Sequence, residues 1–120
     1  MELFELEIYK IALQLSDNAW EIYNKMNKNE QIIIGSQFIT AINSIGANIA
    51  EGYGRFHYLD KNKFMYNARG SLMENIFWIE QLNKRCVITD DVFKSLSEKL
   101  NDELYKLNAF IAVTKRQATQ

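Results

Sequence analysis

The chain has no proline, one cysteine, one histidine and only five glycines, and each scarcity removes a class of protein. Without proline, and with Gly35, Gly46, Gly52, Gly54 and Gly70 as the only glycines, it lacks the turn signals that many-stranded sheets need. Long helices are favoured instead. The lone Cys86 excludes an intramolecular disulfide and a thiolate metal cluster within one chain, so a reducing compartment is expected. Neither sign of charge is in excess: 14 basic and 15 acidic residues give a net charge of −1. Bulk charge therefore offers nothing to a polyanion, and only a local patch could. No apolar run comparable to a transmembrane helix stands out, and the opening residues MELFELEIYK alternate apolar and charged types rather than forming a signal peptide. A cytoplasmic protein without membrane attachment is expected.

What is present is a core. Of 120 residues, 48% are hydrophobic and 24% charged, the balance of an ordinary globular domain, here read as one domain over 1–120. Phe4, Ile8, Ile11, Leu15, Ala19, Ile22 and Met26 recur at helical spacing and predict a first helix over 3–27. Tyr9, Leu13 and Trp20 widen its apolar face, enough to cover the core edge or to touch another chain. A second helix over 31–57 runs through Phe38, Ile42, Ile45, Ile49, Tyr53 and Phe56. A third over 61–86, with Asp60 as N-cap, carries Phe64, Ala68, Leu72, Asn75, Ile79, Leu82 and Cys86. Asn75 in that stripe needs a hydrogen-bond partner, and Cys86 reads as a small buried residue. Thr89, followed by Asp90 and Asp91, marks the start of a fourth helix over 90–115. Short loops force successive helices to run antiparallel, so the fold is an all-α, up-down-up-down four-helix bundle.

The segment NSIGANIAEGYGR, residues 43–55, organises this reading. Gly46, Ala50 and Gly54 fall four apart and form a line along which a neighbouring helix could pack closely. Asn48, Glu51 and Arg55 share another face. With Arg69, Ser71 and Glu74 on the third helix they suggest a polar layer, in which Glu51, Arg55, Arg69 and Glu74 balance one another. Tyr53, Arg55, Phe56, His57 and Tyr58 place an arginine among aromatics near a loop, suited to stacking on bases or packing on a protein.

Catalysis finds little footing. A dinuclear bundle site needs Glu-x-x-His pairs, yet neither Asp nor Glu stands three residues before His57. No nucleophile motif accompanies that histidine. EGYGR lacks both the Gly-Lys-Ser/Thr ending of a P-loop and the spacing of a dinucleotide fingerprint. No catalytic residue, cofactor, metal or small-molecule substrate is expected.

SIGANIAEGYGR, followed by ARGSLMEN, resembles the bacterial four-helix bundle family first associated with intervening sequences in large-subunit ribosomal RNA genes. The likeness extends from FELEIYKIALQL to LNAFIAVTKR. Asn48, Glu51, Gly52, Gly54 and Arg55 carry the first motif, and Ala68, Gly70, Ser71 and Glu74 the second, none with a catalytic role. The resemblance implies a ring, a homopentamer. The family is also similar to the accessory variability proteins of diversity-generating retroelements, pentamers that bind a reverse transcriptase and nucleic acid through a basic surface. From those relatives this chain departs in its mildly acidic balance. The implied function is a non-catalytic oligomeric scaffold with a protein or structured RNA partner; the alternative is a purely structural homo-oligomer.

Overall fold

A computed structural model describes residues 1–119. Four long helices account for most of it: α1 (Glu7–Lys25), α2 (Lys28–Tyr53), α3 (Tyr58–Lys84) and α4 (Asp90–Ala118). Each packs on two others in the cyclic order α1, α2, α3, α4, with no strand among the described residues. The bundle is about 50 Å long and 22 by 21 Å across. Its axis is filled by Leu15, Phe38, Ile42, Ile45, Ile49, Leu72, Leu100 and Leu107, all fully buried. Ser16 Oγ donates to Asn43 Oδ1 at 2.7 Å, and Lys99 Nζ to Asn18 Oδ1 at 2.7 Å, tying α1 to both neighbours.

The helix ends differ from the expected ones for local reasons. Glu2 and Glu5 form a capping box around a 3-10 turn, Leu3–Glu5, which closes before α1 begins. Extended Leu6 then enters the core, and Phe4, expected in the stripe, lies exposed. α2 starts at Lys28 rather than 31 because Asn27 and Glu30 form a reciprocal capping box, with bonds of 2.8 and 2.9 Å. Its first turns include a π-helical segment, Gln31–Gly35, before α-geometry resumes at Ser36.

α2 stops at Tyr53, not 57. Gly52 and Gly54 weaken the helix, and Gly54 N–H closes on the Ala50 carbonyl at 3.2 Å. Arg55 and Phe56 therefore belong to a loop, and His57, which precedes α3 as its N-cap position, makes no side-chain cap. Asp60 sits in the first turn of α3 instead of capping it. Thr89 caps α4 as expected, its Oγ1 accepting from Val92 N–H at 3.2 Å.

Cys86 is a correction. It is exposed, with φ 60°, in the left-handed position that ends α3. Val87 N–H reaches the Leu82 carbonyl at 2.8 Å and Cys86 N–H the Asn83 carbonyl at 3.0 Å, the paired closure usually built around glycine.

A second correction concerns apolar length. α2 has no charged residue from 31 to 50 and is long and apolar enough, by length and composition, to cross a membrane. In the bundle it is the core helix, with Phe38, Ile42, Ile45 and Ile49 turned inward.

Candidate functional site

Gly52 lets α2 and α3 meet. A Cβ there would come within 2.9 Å of Met65 Cε and Phe64 Cβ and 3.0 Å of the Lys61 carbonyl. The expected line of Gly46, Ala50 and Gly54 is a seam only in part. A Cβ added at Gly46 would stand 3.4 Å from Ala12 Cβ on α1, whereas Ala50 borders a shallow groove of about 150 Å³ and a Cβ at Gly54 would meet only its own helix. The closest approach uses the other glycine of the motif, one register away.

The polar layer does not assemble. Arg55 pairs with Glu51 at 3.0 Å, both exposed, and lies over the Phe64 ring at 4.7 Å. Arg69 turns the other way, donating to Asn108 Oδ1 on α4 at 3.0 Å and covering Tyr66. Glu74 accepts from Trp78 Nε1 at 2.8 Å. Asn48 donates to the Ser44 carbonyl, and the Ser71 carbonyl accepts from Asn75, both at 2.8 Å. No ion pair joins Glu51 or Arg55 to Arg69 or Glu74 among the described residues; Arg55 reaches α3 only through the Phe64 ring. The exposed Glu51–Arg55 pair contributes a few tenths of a kcal/mol, ~0.3 for an i,i+4 pair in water.

The aromatic end does assemble. The Tyr53 hydroxyl donates to the Met1 carbonyl, and Lys61 Nζ sits 5.2 Å above the Tyr53 ring. Phe56, 90% exposed, stands edge-on to His57 at 5.2 Å, with Tyr58 beside them. Exposed Met1, Phe4 and Leu59 extend this surface. The sequence pattern does not mark Phe4 or Leu59 for this surface, since Phe4 continues the spacing of the core stripe and Leu59 falls in the expected loop.

A second apolar surface was also missed. On α3, Tyr66, Met73 and Phe77 face outward, opposite the buried stripe, and Phe77 is 52% exposed. Their spacing of seven and four is helical, so the signal was present beside the stronger core stripe. The π segment of α2 also presents Ile32 and Ile33, the latter 75% exposed. Ile33, Ile34, Phe77, Trp78 and Val87 line a groove of about 440 Å³, with Asn27, Gln81 and Arg85 among its polar members. On α1, Leu13 and Trp20 are exposed, Trp20 edge-on to Tyr23 at 5.7 Å. Among the described residues, no three His, Cys, Asp or Glu side chains are grouped to hold a metal ion.

A solved structure shares the fold. A crystal structure of a protein of unknown function from the S23 ribosomal protein family of Bacteroides thetaiotaomicron VPI-5482 superposes with a TM-score of 0.81. The two share 21% identity over 87% of this chain and 97% of the other. No curated protein matches the sequence. A profile of the 23S rRNA-intervening sequence proteins matches residues 4–109. With that much of its 120 residues matched, the chain belongs to the 23S rRNA-intervening sequence protein family.

Proposed function

We propose that this protein is a non-catalytic, cytoplasmic helical scaffold that assembles as a homo-oligomeric ring and presents the Tyr53–Tyr58 end to a protein or structured RNA partner. One observation carries the assembly. Tyr66, Met73 and Phe77 line the outward side of α3, and Ile33 shares a groove with Phe77, so apolar side chains stay exposed beyond those that fill the core. Burial of such side chains returns roughly 25 cal/mol per Å² of apolar surface, and a stable interface needs ~800 Å² per partner. Five copies is the number that the sequence resemblance to the bundle family implies. Light scattering across micromolar concentrations tests the ring: a multiple of the 14.1 kDa chain is expected, and a strict monomer overturns it.

The purely structural reading also has support, in the net charge of −1 and the mixing of Glu2, Glu5 and Asp60 with Arg55, Lys61 and Lys63 at the aromatic end. RNA binding that weakens steeply with salt separates the two readings, because phosphate contacts release counterions. No binding even at low salt removes the RNA partner.

A further inference from the structure

Glu103 belongs to neither surface, and its placement is unfavourable for a carboxylate. It lies on the inward stripe of α4 between Leu100 and Leu107, with 0% of its surface exposed. Neither side-chain oxygen has a hydrogen-bond partner. An ionised carboxylate here would forfeit its hydration with nothing in return.

The same stretch of core holds a second unpartnered oxygen. Asn75 on α3 is fully buried; its Nδ2 donates to the Ser71 carbonyl, but its Oδ1 accepts from nothing. The register of the two helices follows from three bonds across them: Asn62 to the Ile111 carbonyl, Arg69 to Asn108, and Asn83 to Asp90. That antiparallel pairing sets Leu72 opposite Glu103 and Asn75 opposite Leu100. Asn75 and Glu103 are thus within one turn, about 5 Å along the axis. Asn62 Oδ1, also unpartnered, lies at the level of Ile111, two turns beyond Glu103.

We propose that Glu103 is kept in the folded bundle as a neutral carboxylic acid and donates its proton to Asn75 Oδ1, forming a proton-dependent lock between α3 and α4. The chemistry is complementary. A carboxylic acid brings a donor to an oxygen that has an acceptor site to spare, whereas a carboxylate brings none.

The surroundings favour the neutral form. Burial first, and then the charge of Asp102, push the Glu103 carboxyl up to about 8, while Lys106 pulls it down. Lys106 is shared with Asp102 at 3.1 Å and with Glu7 of α1 at 4.0 Å. At this level α1 turns Ile11, Ala12 and Leu15 inward, with Lys10 exposed outside them. α3 contributes Leu72 and Asn75, with Arg69 engaged by Asn108 and Glu74 by Trp78. α2 has no ionisable side chain at all from 31 to 50. Because the folded value lies above the ordinary 4.5, the contribution of the neutral acid is complete below 4.5 and is lost as pH rises to about 8, after which it stays constant.

Carbon-13 NMR of the wild-type protein, labelled at Glu carboxyls and Asn side-chain carbonyls, tests this from about pH 5 to about pH 9. One Glu carboxyl should titrate near 8, with the Asn75 carbonyl moving at the same midpoint. Every Glu titrating below about 6 overturns the neutral acid, and an unmoved Asn75 overturns the lock. Glu103→Gln keeps a donor without an ionisable group. Its Tm should match wild type at the acid end and stay level where wild type falls; parallel pH slopes in the two proteins overturn the proposal.

Discussion

At Gly52 there is room for a hydrogen and nothing larger, because besides the movable tip of Met65 α3 offers the Phe64 Cβ and the Lys61 carbonyl, which cannot swing aside. Gly52→Ala is expected to cost about 1–3 kcal/mol by forcing α2 and α3 apart. Gly54, whose Cβ would meet only its own helix at 3.6 Å, provides the control. Gly54→Ala should change stability by less than about 0.5 kcal/mol, with urea unfolding measuring both. Composition marked the whole motif as small, but which glycine faces a neighbour depends on a rotation of the helix that small residues do not announce. For the same reason Glu103 was hidden. In its sequence it looks like any acidic residue on an amphipathic helix, and only its register with Leu100 and Leu107 puts it inside.

For each helix the question is what starts and stops it. Thr89→Ala removes the one side-chain acceptor at the N-terminus of α4 and should cost ~1 kcal/mol, measured as a lower urea midpoint at unchanged slope. Cys86→Gly should act in the opposite sense. A non-glycine residue at φ 60° carries a steric penalty of roughly 1–2 kcal/mol that glycine does not, so a raised midpoint is expected, reduced by glycine's greater freedom when unfolded. The four helices were legible because their stripes persist for many turns, and Thr89 because its chemistry is local. The other ends were not. Asn27 and Glu30 carried a capping box that the adjacent isoleucines obscured, and the π segment that follows has no period of its own to read. The end of α2 was overrun because Tyr53 and Phe56 continue the spacing of the core while two glycines between Glu51 and Arg55 oppose it.

For the whole molecule, an outward-facing apolar face accompanies a filled core. Phe77→Glu places a charge in the middle of that face without touching the buried stripe, and is expected to reduce the particle mass toward 14.1 kDa in light scattering while leaving helical content intact. The bundle topology could be read from loop lengths, but this face could not be assigned, since a helix apolar on two sides does not say which side is solvated. The absence of charge on α2 from 31 to 50 then has a practical meaning. An association that uses its Ile32 and Ile33 contains few ions to screen, and sulfate, which strengthens apolar burial, should tighten it. A nucleic-acid partner held through phosphates would be stripped by the same treatment. Ionic strength thus becomes a fractionation tool: a high-salt wash would recover the assembled particle bare, with its cargo in the eluate.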